Sequence, residues 1–352
     1  MKQNSFADIS YTDTINICTK SFKLSMNTCN YDNLFPSAFD SDAKESEPLF
    51  QWPLVIDRLL TMNNQETTYR IHDYLATINP SNTTVDAWCR FKMVEWCYQV
   101  IDRAEFRRET VSIAMNYLDR YLSTSSAKVQ SVLHDRSKYQ LCAMTCLFTA
   151  IKLNETKMLD TNLMVQLSRY CYSKEDFTTM EVDIVTELKW YLNGPTPLSF
   201  LEHYLALLPL YRSELNVNQT TIAENARHQI EISVGEYSLM TSPPSMVAAA
   251  ALTNSVRLVV SVQDSLTGFD TRVLKVIENI SGINIRCPSF NKLALALRGL
   301  TNGISPSTEQ VHTNSDLITN CCDYDMDVSP RSSTQLLFTT KSDRHSWPYS
   351  SI

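Results

Sequence analysis

Glycine is scarce in this chain of 352 residues. Only six glycines are present, whereas an average usage of about 7% would give several times more. This scarcity argues against Gly-rich phosphate loops and against folds rich in βαβ units. The sequence also lacks a Walker A motif and a dinucleotide-binding fingerprint. The composition therefore favours a fold made of helices.

Further absences narrow the class of function. There is no HExxH or GxSxG motif and the six histidines are dispersed, so nothing specific supports a metal site or a nucleophile. The ten cysteines contain no CxxC pair. Cys142 and Cys146 lie four residues apart in an apolar segment, which predicts free buried thiols in a reducing compartment.

The net charge and the hydropathy of the chain restrict the classes of partner that it can bind. The net charge of -7 and the pI near 5.4 provide no basic footprint for DNA or RNA. The first residues do not show the positively charged and then apolar pattern of a signal peptide, so we expect none. The most apolar run, residues 246–260, is shorter than the ~20 residues that cross a bilayer and contains Arg257. We therefore expect neither a nucleic acid nor a membrane as partner, and a location in the nucleus, the cytoplasm or both.

Apolar residues recur at helical spacing between two polar ends. The sequence predicts an N-terminal helix within residues 48–76 and then two sets of five helices, separated by the LNGPTP turn at residues 192–197. In each set the third helix is the most apolar, which predicts the buried centre of a bundle. The predicted helices are 86–100, 105–122, 137–153, 161–170 and 174–190 in the first set, and 198–207, 220–239, 244–260, 268–280 and 288–300 in the second.

This pattern predicts an all-α, duplicated architecture. The expected domains are residues 49–195, an N-terminal helix plus a first five-helix unit, and residues 196–300, a second such unit. Residues 1–48 and the Ser- and Thr-rich residues 301–352 lack apolar periodicity and are expected to be disordered tails.

Three charged residues occupy positions on or beside apolar registers of the first unit. Asp119 shares a helical line with Met115 and Leu122, and Lys152 ends the most apolar helix. Glu181 also adjoins an apolar stripe. Any one of them could be a solvated charge at the edge of a core face. Together, within one five-helix unit, they indicate a more specific site.

Four segments carry a resemblance to the cyclin family. WCRFKMVEWCYQV (88–100) and ETVSIAMNYLDRYLS (109–123) resemble the first two helices of the cyclin box, and YQLCAMTCLFTAIKLNET (139–156) resembles the third. MEVDIVTELKWYLNGPTPLSFLEHYL (180–205) is similar to the fifth helix and the entry to a second fold. The resemblance covers residues 49–300 and is stronger in the first unit. AMNYLDRYLS and PPSMVAAAA (243–251) are similar to the G1-type, D-like cyclins.

The resemblance assigns expected roles to five residues. The residues that mark a cyclin box are matched by Arg90, Asp119, Leu141, Lys152 and Glu181. It implies that Arg90 pairs with Asp119 inside the box and that these two, with Leu141, are structural. It implies that Lys152 and Glu181 face the kinase and bind the backbone around its PSTAIRE-type helix.

The resemblance also implies a substrate-docking groove on the first helix of the box. Met93, Trp96 and Gln140 match parts of that groove. Cys89 stands where a Met is usual, and Gln99 stands where an acid usually meets the substrate's Arg. Replacing an acid with a neutral amide weakens a charge-assisted contact. Met93 and Trp96 are equally well explained as ordinary core residues.

The function that the resemblance implies is an activating subunit of a cyclin-dependent Ser/Thr kinase. It would form a 1:1 heterodimer, act in G1 or at the G1/S transition, meet kinase substrates and inhibitors, and supply no catalytic residue and no cofactor. One alternative is a cyclin-fold transcription factor of the TFIIB kind, which would need a zinc ribbon and a basic surface. An α-helical enzyme with scattered catalytic residues is the other alternative.

Overall fold

α-Helices form the described part of the chain, which contains no β-strand. A computed structural model describes residues 52–76, 84–207, 216–262, 275, 277–279 and 281–303. The predicted tails therefore lie outside the described residues, except for 301–303. None of the helices described is long and apolar enough to cross a membrane. The all-α prediction is confirmed.

The first half of the fold is a bundle around one central helix. Helix α5 packs against α2, α3, α4 and α7, and its residues 141–151 are all buried. This confirms the buried centre predicted from the apolar sequence. The helices of this half are α1 (Trp52–Glu66), α2 (Ala87–Ala104), α3 (Glu109–Leu122), α4 (Ala127–Leu133), α5 (Arg136–Asn154), α6 (Thr161–Leu167) and α7 (Lys174–Glu187).

The second half repeats this arrangement around α10. Helix α10 packs against α8, α9 and α11, and residues 247–256 of α10 are buried. The helices are α8 (Pro197–Leu207), α9 (Asn216–Ser233), α10 (Pro244–Val262) and α11 (Pro288–Thr301). Most of the predicted helix 268–280 lies outside the described residues. The N-terminal helix α1 packs against α8 of this second half.

Several helix ends differ from the prediction because non-glycine residues adopt left-handed backbone conformations. Glu105 has φ of 58° and ends α2, so α3 begins at Glu109 and not at Glu105. Arg169 and Lys189, with φ of 55° and 52°, likewise end α6 and α7 before residues 170 and 190. Helices usually close with glycine at this position. In a chain with six glycines, other residues close them, and the sequence carries no glycine to signal the ends.

Three further features were not predicted. The seven-residue helix α4, which Ser126 caps by accepting a hydrogen bond from the Val129 backbone N–H, is too short to show periodicity. The predicted helix 220–239 is interrupted: α9 ends at Ser233 and a 3₁₀ turn follows at Tyr237–Leu239. The N-terminal helix also ends earlier than predicted, at Glu66, followed by a 3₁₀ turn at Thr67–Tyr69.

The junction between the halves closes around the Tyr69 ring. The Arg120 guanidinium stacks on this ring at 4.6 Å, and Arg120 Nη1 donates to the carbonyl of Tyr191 at 2.7 Å. Gly194 lies so close that an added Cβ would stand 2.5 Å from Tyr69 Cδ1 and 2.8 Å from Cγ. The close approach of the linker therefore requires the absence of a side chain at residue 194.

We expect Gly194→Ala to destabilise the fold by about 1–3 kcal/mol, because the Tyr69 ring is held by Arg120 and cannot move aside. Urea unfolding of the wild type and the variant measures this loss. In a Tyr69→Ala background the same replacement should cost almost nothing. An equal loss of stability in both backgrounds would contradict the proposed steric overlap between the added Cβ and the Tyr69 ring.

A carboxylate of the N-terminal helix caps the central helix of the second half. Glu66 accepts hydrogen bonds from the Ser245 backbone N–H at 3.1 Å and from its hydroxyl at 2.8 Å. Burial raises the pKa of Glu66 above its ordinary value of 4.5, although the bonds from Ser245 oppose the shift. Helix α1 is thus attached to the second half both by packing against α8 and by its last residue.

The raised pKa of Glu66 predicts a pH effect on stability. The folded state holds the Glu66 proton more tightly than the unfolded state, so the contribution of this group falls as pH rises from about 4.5 through the folded pKa. Melting temperatures of the wild type and Glu66→Gln, measured from pH 4 to 7.5, should show the wild type losing stability relative to the variant. A difference that does not change with pH would disprove the shift.

Candidate partner-binding site

A buried ion pair joins the first two helices of the box. Arg90 on α2 donates from Nε to Asp119 Oδ1 at 2.9 Å and from Nη2 to Asp119 Oδ2 at 2.7 Å. The two side chains are only 3% and 2% exposed. Tyr74 donates its hydroxyl proton to Asp119 Oδ1 at 3.1 Å. The Arg90–Asp119 pairing expected from the resemblance is therefore present and is bidentate.

Electrostatics keep the Arg90 guanidinium charged although it is buried. Burial by itself lowers the pKa of the Arg90 guanidinium, but the charge and hydrogen bonds of Asp119 outweigh it and raise that pKa above its usual value. Burial and the neighbouring Asp119 charge raise the pKa of Tyr74, so this hydroxyl stays protonated and able to donate. A planar guanidinium suits such a carboxylate because two parallel N–H groups meet its two oxygens.

The same arginine also contacts the second half of the fold. Arg90 Nη1 donates to the Val234 carbonyl at 2.7 Å, directly after α9 ends. Beside this contact, the Tyr237 ring meets the Tyr74 ring edge-on at 5.6 Å, and its hydroxyl donates to Asp73 at 2.7 Å. The sequence pattern of the box did not indicate these contacts, because they join residues about 140 to 165 positions apart.

Lys152 and Glu181, the two charges expected to bind a kinase, lie together at the surface. Lys152 Nζ approaches Glu181 Oε1 to 2.5 Å, and the side chains are 27% and 20% exposed. Lys152 lies in the last turn of α5, while Glu181 lies on α7, which packs against α5. Leu153 and Val182, the next residue in each helix, are 52% and 56% exposed. A partly exposed ion pair with exposed apolar residues adjacent to it in sequence is a candidate docking site for another protein.

The chain beyond Lys152 is fixed by a carboxylate that the sequence analysis did not single out. Glu155 Oε1 accepts a hydrogen bond from the Arg107 backbone N–H at 3.1 Å and another from the Thr110 hydroxyl. Arg107 Nη2 donates to the Asn154 carbonyl at 2.7 Å. These bonds attach the end of α5 to the beginning of α3, and so they fix the position from which Lys152 projects.

The residues expected to form a docking groove have mixed environments. Met93 is 3% exposed and belongs to the core of the first half, and Trp96 packs against that core. Gln140 accepts a hydrogen bond from the Tyr172 hydroxyl at 2.9 Å. Gln99 Oε1 is buried and has no hydrogen-bond partner among the described residues. The groove assignment for Met93, Trp96 and Gln140 stays a prediction.

The remaining site residues are structural in character. Leu141 is buried within α5 and its carbonyl accepts a hydrogen bond from Thr145 at 2.7 Å. Cys89, at the position of the usual Met, is buried, and Cys142 and Cys146 are free and buried as predicted. Within the described ranges, no cluster of three or more His, Cys, Asp or Glu residues could hold a metal ion.

Family models now identify the architecture built from these contacts. The model of the cyclin N-terminal domain matches residues 57–193, and that of the cyclin C-terminal domain matches residues 195–275. The chain belongs to the cyclin family. The two matches correspond to the two helical halves described above and to tandem cyclin domains.

Individual relatives place this cyclin near the D type. It is 32% identical over 157 residues to the G1/S-specific cyclin-D1 of Mus musculus, covering 45% of this chain and 50% of the relative. It is 28% identical over 230 residues to that of Danio rerio, covering 63% and 75%. The cyclin thus spans about half the length of the mouse relative. A viral cyclin from herpesvirus saimiri aligns at 16% identity with a TM-score of 0.44, over 66% of this chain and 96% of that structure.

The buried Arg90–Asp119 pair predicts a large loss of stability when one charge is removed. Asp119→Asn should lower the free energy of unfolding by about 3–5 kcal/mol, because Arg90 would remain buried without a counter-charge. Glu95→Gln on α2, the helix of Arg90, removes the partly exposed Lys92–Glu95 pair and should cost no more than about 0.5 kcal/mol. Equal losses in the two variants, measured by urea unfolding, would refute the structural role of the buried pair.

Proposed function

We propose that this cyclin is an activating regulatory subunit of a cyclin-dependent Ser/Thr kinase and forms a 1:1 heterodimer with it. The observation that carries the proposal is the partly exposed Lys152–Glu181 pair, together with the exposed side chains of Leu153 and Val182, which are the next residues in the two helices. The ammonium group donates and the carboxylate accepts, so the two can bind carbonyl and N–H groups at both ends of one backbone segment. The neighbouring apolar side chains supply area that a partner can bury.

The mechanism follows from the rigidity of this face. Both charges project from packed helices, and the chain after α5 is fixed by Glu155. Such a face can hold the mobile PSTAIRE-type helix of the kinase inward, where the kinase's own Glu pairs with the Lys that positions the ATP phosphates. The cyclin then stabilises the active conformation by differential binding and contributes no catalytic residue.

Two further points refine the proposal. The mouse and zebrafish relatives are named G1/S-specific, and we extend that timing to this cyclin, with a location in the nucleus, the cytoplasm or both. The match to cyclin family models and the net charge of -7 favour a kinase regulator over a DNA-binding factor of the TFIIB kind.

A binding and activation assay tests the proposal. The purified full chain is mixed with each of a panel of cyclin-dependent kinases, and histone phosphorylation and co-precipitation are measured. We expect at least one kinase to bind and to gain activity only when the cyclin is present. Absence of binding to every kinase in the panel would refute the proposed function.

The interface assignment has a test of its own. A Lys152→Ala, Glu181→Ala variant should bind the activated kinase at least about 30-fold more weakly, a loss of about 2 kcal/mol, because both central charges are removed. Its thermal stability should change little, since the pair is partly exposed to solvent.

The control variant removes a second ion pair that also includes a residue of helix α7. Lys128 on α4 pairs with Asp183, two residues after Glu181, so Lys128→Ala, Asp183→Ala removes a comparable pair. This control should bind the kinase as the wild type does. If both double variants bind normally, the kinase contacts a different face.

A further inference from the structure

One turn of α5 contacts both members of the Lys152–Glu181 ion pair. Thr149 Oγ1 donates a hydrogen bond to Glu181 Oε1 at 3.0 Å. The Phe148 ring lies under the Lys152 ammonium, with Nζ at 4.7 Å from the ring centroid. Phe148 and Thr149 precede Lys152 by four and three residues, so all three share one side of the helix.

The Thr149 contact fixes the orientation of the carboxylate. Thr149 and Lys152 both contact Glu181 Oε1, so this oxygen is fully engaged. Glu181 Oε2 accepts no hydrogen bond from any described residue. The carboxylate therefore has one oxygen tied to its own chain and one available to accept an N–H from a partner.

Thr149 itself cannot touch a partner, because it is only 3% exposed. Its effect on binding would have to pass through Glu181. A buried threonine in a helix commonly bonds to the carbonyl four residues earlier, and Thr145, one turn away, does so with Leu141 at 2.7 Å. Thr149 instead directs its hydroxyl across to the neighbouring helix α7.

We propose that Thr149 is a positioning residue that holds the Glu181 carboxylate with Oε2 directed to the kinase. This inference rests on the proposed function of Lys152 and Glu181. With the hydroxyl in place, Glu181 enters the complex already oriented, and less conformational freedom is lost on binding. Without it, the carboxylate keeps the Lys152 contact but can rotate about its side-chain torsions.

The experiment compares two isosteric replacements on the same helix. Thr149→Val removes the hydroxyl that reaches Glu181, and Thr145→Val removes a hydroxyl that bonds only within α5. Affinity is measured by calorimetry with the kinase that gives the strongest activation in the panel. We expect Thr149→Val to weaken binding about fivefold and Thr145→Val to leave the affinity unchanged. Thr149→Ser, which keeps the hydroxyl, should bind the kinase within about twofold of the wild-type affinity.

A second background separates positioning from a general effect on the fold. When Thr149→Val is introduced into a Glu181→Ala variant, it should cause no additional loss of affinity, because the hydroxyl then has no carboxylate to orient. The same fivefold loss in both backgrounds would overturn the inference, as would wild-type affinity of the single Thr149→Val variant. Normal affinity of Thr149→Val together with lost affinity of Lys152→Ala, Glu181→Ala would overturn this inference alone. Failure of the wild type to bind any kinase would overturn both.

Discussion

The buried pair of Arg90 and Asp119 is the interaction on which this arrangement depends. Two charges that are almost completely excluded from water must satisfy each other, and this requirement fixes α2 against α3. The guanidinium has more N–H groups than one carboxylate can accept. A third N–H group of Arg90, on Nη1, donates to the Val234 carbonyl just after the end of α9. One side chain thus sets the position of the first two box helices and of a segment in the second cyclin domain.

The contacts that begin at the buried pair extend to the proposed partner-binding face. Helix α3, which carries Asp119 near its end, packs along the central helix α5. At its beginning, α3 receives the Glu155 side chain through Arg107 and Thr110. The end of α5, from which Lys152 projects, is therefore attached to the helix that the buried pair fixes. A change in the box interior can alter the binding face without touching a residue of that face.

Sequence patterns predicted the features that depend on local periodicity. The two apolar central helices were predicted correctly because a helix buried on all sides is apolar on all sides, which is visible within a few residues. Helix ends at Glu105 and Lys189 were missed because the left-handed closing residue is not glycine. The pairing of Arg90 with Asp119 came from family resemblance. The contacts of Arg90 with Val234 and of Thr149 with Glu181 join distant segments, and no local pattern reports them.

The Arg90–Asp119 and Lys152–Glu181 ion pairs differ in burial and in the type of cation, and both differences suit their positions inside the box and at its surface. Arg90 is planar, stays charged when buried, and meets both oxygens of Asp119, which suits a permanent internal contact. Lys152 is a compact charge on a flexible stem, it is 27% exposed, and its ammonium contacts Glu181 Oε1. An ammonium in that position can retain its neighbour and still donate to a partner's carbonyl, because it has three N–H groups. A guanidinium buried like Arg90 could not be offered to a partner, so among the five box residues the internal contact and the proposed kinase contacts fall on different side chains.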